Sequence, residues 1–442
     1  MFTTQKNRIK HSTGEEYDIL RELCHYAKNL YNVALYNIRQ QYFEKGTLLS
    51  YSRNCKACKE NENFEMIQAG VAQQTVRKAT EGFKSFSALK EKVAKGEYPA
   101  KKVRIPQYLE KDGYYQMVLS TNAVIVNDGY LEIPMSKAFR AAHPGRKIKI
   151  PFPDRLNWRW VQEVHISPAH GARFFEAEYV SENRRPTEKP SVDPDLIMGI
   201  DQGVNNLAAC VTTTGIGFLI DGRCLKAANQ WYNKERARLQ SINDQRGGKG
   251  KTRKMACLAI NRENFTMDCM RKAARYIINT CIAERIGTLL VGLNKGQKQG
   301  INMGHIDNQN YVQIPFWKFR RLLKHLCERY GIVYAETEES YTSKASFLDR
   351  DSLPVYGQEG AAECVFSGRR ITRGLYRSKK GCINADINGA ANIIRKYRPD
   401  ADFSLLDKAV VLNPCRVKVL NTDRKKPHAC PITSTAAAQA TA

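Results

Sequence analysis

The chain has 442 residues, which is two to three domains' worth of sequence if one domain takes roughly 150 residues. Its 42% hydrophobic and 26% charged residues are typical of a globular protein and exclude a collagen-like, wholly disordered or membrane-spanning chain. Seventy Lys and Arg against 44 Asp and Glu leave a formal charge of +26, which favours a polyanionic partner such as nucleic acid over a small neutral substrate.

The opening segment and the cysteines give indications of the cellular compartment of the protein. MFTTQKNRIKHSTGEEYD lacks the apolar centre of a signal peptide, which favours a cytoplasmic location, and thirteen scattered cysteines fit free thiols in a reducing compartment. Cys55 and Cys58 form a CxxC pair without a second pair nearby, so we expect no metal there, because structural zinc takes four ligands. No basic helix with a strong apolar face stands out, which disfavours a membrane surface as the partner.

The first hundred or so residues have helical periodicity. Apolar residues three or four apart predict a helix over residues 15–43, ended by Gly46, and a second over residues 69–93. Arg77 and Lys78, on the basic side of the second helix, are candidates for phosphate contacts. The alternative is a solvated charged surface, and the total charge of the chain favours the nucleic-acid interpretation.

After Pro106 the pattern changes to short apolar runs separated by turns. This spacing predicts an antiparallel barrel or sandwich with strands at residues 115–119, 123–126, 130–133, 147–150, 161–166 and 174–179. The charged, proline-bearing segment 181–195 then predicts a domain boundary.

Strands and helices alternate beyond that boundary. LIMGID at 196–201 predicts a buried strand that ends in Asp201, followed by a hairpin of residues 207–211 and 217–220. Further elements are predicted as helices at 225–244 and 255–284, a strand at 288–291, a helix from Pro315 to Gly331, a strand at 332–335, a long irregular insert and a last helix from about Ala385.

The loop between the two long helices, RGGKGKTRK at 246–254, has five cations and no acid. Glycines between cations suit a nucleic-acid backbone better than they suit packing, although such a loop can also be plain solvated surface. The candidate phosphate contacts of this loop are Arg246, Lys249, Lys251, Arg253 and Lys254.

Two aspartates form a candidate catalytic pair. Asp201 ends an apolar strand, and Asp386 lies in the first turn of the helix that begins ADINGAANI, where Gly389 and Ala390 permit close approach to the sheet. A lone acid in a first turn often only stabilises the helix dipole, but its pairing with Asp201 favours an RNase H-like nuclease layout. Such carboxylates hold two divalent ions about 4 Å apart, and oxygen ligands select Mg²⁺ or Mn²⁺.

Four segments carry a resemblance to a known family: GIDQGVNNLA at 199–208, NQNYVQIPF at 308–316, EESYTSK at 338–344 and INADINGAANI at 383–393. They resemble the RuvC domain of TnpB, the family of transposon-encoded RNA-guided DNA endonucleases from which type V CRISPR effectors descend. YNVALYNIRQQY and RIPQYL in the first part of the chain resemble the helical recognition lobe and the barrel of that family.

The resemblance implies a multidomain α+β fold. A helical recognition lobe (12–105) is inserted in a β-barrel wedge domain (1–11 and 106–190). An RNase H-like RuvC domain (191–340 and 384–400) follows and carries an inserted nucleic-acid-binding segment (341–383). The last part of the chain (401–442) is expected to be a mostly disordered tail. It also implies a bacterial or archaeal cytoplasmic enzyme with guide RNA and target DNA as partners and two Mg²⁺ or Mn²⁺ ions as cofactors. Whether one or two protomers bind one RNA is left open.

The chain departs from the family pattern at the middle acid. The common form has a glutamate at the position of Gly292, and Glu338 or Glu339, one strand further out, is a candidate substitute. Adjacent residues in an extended segment point to opposite faces, so one of the two should face the site. We favour Glu339, which gives Asp201, Glu339 and Asp386 as metal ligands; the alternative is an exposed acidic pair.

The zinc ribbon of many family members is also altered. Its first cysteine pair would fall at Ser346 and Asp349, and Cys364 and Cys382 are too few for a four-ligand site, so we expect no structural zinc. The insert should then be a basic segment that contacts nucleic acid near the active site. Its candidates are Arg369, Arg370 and Arg373 for phosphate and Tyr376 for stacking on a base. Outside the insert, Arg104 is a further candidate for a phosphate contact.

Two rival functions remain. Loss of the glutamate at position 292 fits a nuclease-inactive, RNA-guided DNA-binding repressor, while retention of both aspartates in intact motifs favours an active enzyme. A RuvC-type nuclease that acts on branched DNA without a guide is disfavoured by the large basic half outside the nuclease domain.

Overall fold

The computed structural model describes residues 2–9, 13–182, 189–293, 313–358 and 363–420. The chain forms two compact units, Met1–Pro186 and Thr187–Ala442. None of the helices in these described ranges combines the length and the apolar character needed to cross a membrane.

The first unit contains the helices α1 (Gly14–Lys45), α2 (Tyr51–Cys58), α3 (Glu62–Met66), α4 (Ala69–Ala94) and α5 (Lys137–Ala142). The Thr13 hydroxyl accepts from the backbone N–H of Glu16, whose carboxylate accepts from the N–H of Thr13, so a capping box begins α1. Gly46, at φ 65°, ends it in the left-handed conformation. The helices predicted over residues 15–43 and 69–93 are confirmed as α1 and α4.

Two antiparallel sheets complete the first unit. One has the strand order β1 (Phe2–Arg8), β7 (Phe174–Glu182), β6 (Val161–Ala169) and β2 (Met117–Ser120), and the other consists of β3 (Ile125–Asn127), β4 (Tyr130–Glu132) and β5 (Lys149–Pro151). Because β1 pairs with β7, the helices α1 to α4 are an insertion between strands of one sheet. Helices and strands share one core, which includes Leu30, Phe83, Leu119 and Tyr179.

The second unit is built on a six-stranded sheet of β8 (Asp193–Asp201), β9 (Asn206–Thr212), β10 (Gly217–Asp221), β11 (Ile286–Gly292), β12 (Val333–Thr337) and β16 (Cys415–Val417). The spatial order is β12-β11-β8-β9-β10-β16. Strands β8, β11 and β12 are parallel, β9 runs antiparallel between β8 and β10, and β16 pairs parallel with β10.

Helices cover both faces of this sheet. α6 (Arg223–Gln245), α7 (Arg253–Ala283) and α8 (Phe316–Tyr330) follow in the chain, and α9 (Ala385–Tyr397) comes after the insert. Met198 and Leu289 pack in the cluster that contains α7 and α8, whereas their neighbours Ile197 and Leu290 pack with α9. Side chains alternate between the faces of a strand, which explains why β8 and β11 are apolar throughout their buried parts.

Two regions are more ordered than the sequence analysis predicts. The insert contains a three-stranded antiparallel sheet of β13 (Arg369–Thr372), β14 (Leu375–Ser378) and β15 (Gly381–Asn384), so it is not irregular throughout. Residues 401–420, predicted as disordered tail, contain α10 (Lys408–Leu412) and β16. Val411 is buried in the cluster that contains the apolar residues of α9, and Val417 packs on the core on the other face of the sheet. Residues 421–442 lie outside the described part, and the finer domain boundaries stay predictions.

Candidate active site

Asp201 and Asp386 are brought to one edge of the sheet by the close packing of α9 on β8. Asn384 begins α9 by accepting from the N–H groups of Asp386 and Ile387 at 3.0 and 3.2 Å. A Cβ at Gly389 would lie 2.5 Å from Oδ2 of Asp201. Only glycine therefore permits the first turns of α9 to lie against the carboxylate that ends β8.

Glu339 lies beside the end of β11. A Cβ at Gly292 would lie 2.7 Å from Oε2 of Glu339, so the missing side chain at 292 leaves the space that the Glu339 carboxylate takes. Glu338 points elsewhere: its carboxylate accepts from Nζ of Lys396, on α9, and from the N–H of Ser340 at 2.5 Å. The two adjacent glutamates thus have different surroundings, and Glu339 is the one that shares the sheet edge with Asp201.

The charges at this edge interact. Burial raises the pKa of the Asp201 carboxyl well above its usual range, and the nearby charges of Glu339 and Asp386 raise it further, while the Arg370 guanidinium acts in the opposite direction. Asp386 forms an ion pair with Arg370, Nη2 to Oδ1 at 3.4 Å, and accepts from Nδ2 of Asn206 at 2.5 Å. Three carboxylates therefore interact electrostatically, with one arginine partly compensating their charge.

A cavity of about 450 Å³ opens in front of these groups. It combines two carboxylates with four arginines, which is a lining suited to phosphate together with cations. The residues of the lining that carry charge are Asp201, Asp386, Arg223, Arg370, Arg373 and Arg416.

The donors are those that hard divalent cations prefer. The described residues contain no three His, Cys, Asp or Glu side chains already drawn together as a metal site. Asp201 and Asp386 nevertheless face one cavity, and Glu339 lies close enough to Asp201 to raise its pKa. Carboxylate oxygens around a water-accessible cavity suit Mg²⁺ or Mn²⁺ and not a thiolate-seeking ion.

Two of the three candidate phosphate contacts of the insert lie at this site. Arg370 and Arg373 line the cavity, and Arg370 also donates from Nε to the carbonyl of Arg373 at 3.1 Å. Arg369, at the start of β13, is exposed.

The candidates in the 246–254 segment are all exposed. The loop is shorter than predicted, because Thr252 caps α7 by accepting from the N–H of Met255 at 3.3 Å. Arg253 and Lys254 therefore belong to the first turn of α7 and not to the loop, whereas Arg246 ends α6 and Lys249 and Lys251 lie between the helices.

In the first unit, two of the three candidates have partners within the chain. Lys78 pairs with Glu81 at 3.1 Å, and the Arg77 guanidinium lies 5.1 Å from the ring centroid of Tyr51. Arg104 is exposed. Surface pairs of this kind are weak and give way to stronger anionic partners.

The prediction for Tyr376 is wrong. Its side chain is fully buried in the α9 cluster, and its hydroxyl donates to the carbonyl of Lys344 at 2.7 Å. Burial raises its pKa to about 12. The side chains of β14 point alternately inward and outward, and Tyr376 is one that points inward. Because its ring is enclosed by the protein, it cannot stack on a base.

Hydrogen bonds hold the part of the insert where the first zinc-ribbon cysteines would fall. Asp351 Oδ2 accepts from the N–H of Ser346 at 2.8 Å and from the N–H of Ser367 at 3.0 Å. Asp349 Oδ2 accepts from the Ser367 hydroxyl at 2.8 Å and from the N–H of Lys379 at 3.0 Å. This carboxylate junction, formed by Ser346, Asp349, Asp351, Ser367 and Lys379, ties three separate stretches of chain together.

Sequence reasoning missed three residues of the cavity, Asn206, Arg223 and Arg416. Asn206 lies within the segment GIDQGVNNLA, and that motif was the signal that could have identified it. Arg223 and Arg416 have no comparable signal, because they reach the cavity from the start of α6 and from a three-residue strand at the far edge of the sheet.

The chain is similar in sequence to known proteins. A family of probable transposases, OrfB_IS605, matches residues 178–297. The TnpB-like protein ORF457 of Acidianus two-tailed virus is 23% identical over 413 residues, which is 85% of this chain and 83% of that protein.

Two solved structures match most of the length of the chain. The protein of the cryo-EM Cas12f1-sgRNA-target DNA complex superposes with a TM-score of 0.56 at 16% identity, covering 86% of this chain and 83% of that chain. The mini-RNA-guided endonuclease CRISPR-Cas_phi3 covers 89% of this chain and 92% of its own at a TM-score of 0.46 and 10% identity. The Cas12f1 superposition shows that the multidomain α+β fold is of the same kind.

Proposed function

Because this chain is a TnpB-family protein related to the type V effectors, we propose that it is an RNA-guided DNA endonuclease whose second unit is an RNase H-like RuvC nuclease. The observation that carries the proposal is the carboxylate of Glu339 in the space beside Gly292, near Asp201. Simple loss of the middle acid does not explain why a carboxylate from another residue occupies the same place.

Asp201, Glu339 and Asp386 would hold two Mg²⁺ or Mn²⁺ ions. Bound ions of this kind activate water and stabilise the leaving oxygen of a phosphodiester. The chain itself supplies the enclosure: β8 and β11 end at one edge, and α9 presents Asp386 from its first turn. Burial keeps the Asp201 carboxylate poorly solvated, so neutralisation of its charge by a cation is strongly favoured.

Two arginines of the cavity would bind the DNA strand. Arg370 and Arg373 come from the insert, and their charges lie beside the carboxylates where a strand has to pass to be cut. A guanidinium binds phosphate in bidentate geometry, which fixes the strand without reading its sequence.

The first unit would bind the guide RNA and recognise a short motif next to the target. Its helices would be the recognition lobe and its sheets the wedge domain, and base pairing between guide and target would select the sequence. The complex of Cas12f1 contains a guide RNA and a target DNA, which supports this assignment by similarity. The formal charge of +26 supports extensive phosphate contact.

Cleavage of matched DNA by the protein purified with RNA from its own locus tests this function. With Mg²⁺ present, we expect cutting that requires the RNA and is lost in Asp201→Asn. Binding without cutting would instead support the RNA-guided repressor, for which the ion pair between Arg370 and Asp386 is the favourable observation. Cutting that needs no RNA would support the guide-free nuclease.

A further inference from the structure

We propose that Arg416, on β16, is a positioning residue for Asp386 and acts through Asn206. This inference rests on the proposed function, because it concerns how a metal-binding carboxylate is oriented. Arg416 lies in the stretch that the sequence predicts as tail, and no motif marks it.

The register of the sheet places Arg416 in one row with Asp201. Asp201 pairs with Ala209, Ala209 with Leu219, and Leu219 with Arg416. Neighbours in register point to the same face, and Ala209 and Leu219 both pack in the α9 cluster. Arg416 therefore faces the side of the sheet on which α9 carries Asp386, three strand spacings or roughly 14 Å from Asp201 along the row.

Its neighbours on β16 point the other way and anchor the strand. Cys415 and Val417 pack on the opposite core cluster, opposite Phe218 and Ile220 of β10. A strand of three residues thus has two side chains that fix it to the sheet and one, Arg416, that lines the cavity.

A chain of hydrogen bonds joins Arg416 to Asp386. Arg416 Nη1 donates to Oδ1 of Asn206, and Nδ2 of Asn206 donates to Oδ2 of Asp386 at 2.5 Å. A guanidinium can only donate, so it accepts no bond from the amide NH₂ and selects the amide oxygen. Arg416 thereby fixes the orientation in which Asn206 presents its NH₂ group to the carboxylate.

Without Arg416 the amide of Asn206 can turn by 180° and present its oxygen to Asp386. Two acceptors would then face each other, and the carboxylate would lose a donor that holds it in place.

Arg416 is itself held by Asp221, the last residue of β10. Its Nη1 lies 3.9 Å from Oδ1 of Asp221, and Arg223 donates to the same carboxylate at 2.9 and 2.8 Å. Asp221 is a buried residue, and the strong pairing with Arg223 keeps it fixed. The guanidinium of Arg416 therefore has a defined position before any nucleic acid is present.

The main alternative is that Arg416 binds a DNA phosphate directly. A double-mutant cycle separates the two roles, because a positioning residue acts only if its intermediary is present. We expect Arg416→Ala to lower kcat of the guide-loaded protein about tenfold, the effect of one hydrogen bond to a charged group, with little change in KM for DNA. We expect Arg416→Ala in the Asn206→Ala background to add less than about twofold.

Lys418→Ala is the matched control. It removes an exposed cation two residues further along the chain and should leave cleavage unchanged. Arg416→Lys keeps a donor for the Asn206 oxygen and should retain most of the activity, which separates positioning from any loss of β16 caused by truncation to alanine.

A second measurement is independent of cleavage. Mn²⁺ is titrated into the guide-loaded protein without target DNA and followed by electron paramagnetic resonance, and the signal that Asp386→Asn removes is assigned to the site. We expect Arg416→Ala to weaken this binding about tenfold, within the range found when an outer partner of a metal ligand is removed.

The outcomes distinguish positioning by Arg416 from a direct phosphate contact and from failure of the proposed nuclease function. A rise in KM at unchanged kcat, with fully additive losses in the double variant, would overturn positioning in favour of a phosphate contact. If the wild-type protein binds Mn²⁺ at the site but never cuts, the proposed nuclease fails while the positioning role is still measured. If Asp386→Asn removes no Mn²⁺ signal, the positioning proposal fails whether or not the protein cuts.

Discussion

Substitution of Gly292 by alanine tests whether the site depends on the space beside Glu339. The added Cβ would lie 2.7 Å from Oε2 of Glu339 and 2.5 Å from Cδ1 of Ile393, whereas ordinary contact begins at 3.4 Å. The carboxylate would therefore have to retreat by about 0.7 Å unless the methyl group forces a larger shift of β11. Displacement of a reacting group by about 1 Å costs roughly 10²-fold in rate, so we expect a loss of that order.

The assay is RNA-dependent cleavage of matched DNA under single-turnover conditions, with the melting temperature measured in parallel. Overpacking of this kind lowers the free energy of unfolding by about 1–3 kcal/mol, so the variant should still fold. Gly14→Ala is the control, because nothing lies within 4 Å of a Cβ at that glycine. Cleavage by Gly292→Ala at the wild-type rate would refute the argument that Glu339 needs this space.

A reciprocal variant extends the same test. In Gly292→Glu with Glu339→Gly, the carboxylate returns to the position that the common family form uses, and the space that it needs is vacated. We expect this double variant to cut faster than Glu339→Gly alone. Equal rates would mean that the two positions are not interchangeable.

Three further predictions concern named carboxylates. Glu339→Gln should lower the cleavage rate roughly 10²-fold or more, because a metal ligand loses its charge. Glu338→Gln should have a smaller effect, which acts through its partner Lys396. Equal effects of the two variants in a cleavage assay would contradict the assignment of Glu339 as the ligand. Asp349→Asn should lower the melting temperature by the same amount with and without Mg²⁺, since Asp349 bonds to Ser367 and Lys379 without a metal; a loss seen only with the metal present would contradict this. Asp201→Asn in metal-free buffer should raise the melting temperature at pH 7, by about 2–4 °C for each kcal/mol relieved. The pKa of Asp201 is raised in the folded protein, so the wild-type protein gains stability as pH falls toward that pKa. The difference in melting temperature in favour of Asp201→Asn should therefore shrink at acid pH. A difference that grows on acidification would refute the raised pKa.

Much of the second unit follows from local sequence patterns. The strand that ends in Asp201 and the helix that begins near Ala385 are each predicted from a short stretch of adjacent residues, LIMGID and ADINGAANI. The meeting of Asp201 and Asp386 follows from the general rule that sites form at the carboxyl ends of parallel strands.

The features that could not be predicted from the sequence depend on contacts between residues far apart in the chain. Tyr376 is a polar aromatic residue in a basic segment, and only the pairing of β14 between β13 and β15 turns it inward. β16 has three residues, too few for a periodic signal, and it is stabilised by pairing with β10, some two hundred positions earlier. Arg416 could not be assigned to the cavity for the same reason.

The carboxylate junction of the insert has a consequence for the conditions in which the protein can operate. Its bonds join aspartate oxygens to backbone amides and a serine hydroxyl, groups that neither peroxide nor a scarcity of transition metal ions alters. A ribbon built on thiolates fails when its sulfur atoms are oxidised or its ion is withdrawn. Here the same corner of the molecule is instead sensitive to acid. Burial raises the pKa of Asp349, but the bond from the N–H of Lys379 and those from serine outweigh burial and lower this pKa overall, so protonation of the carboxyl weakens bonds that hold the corner closed.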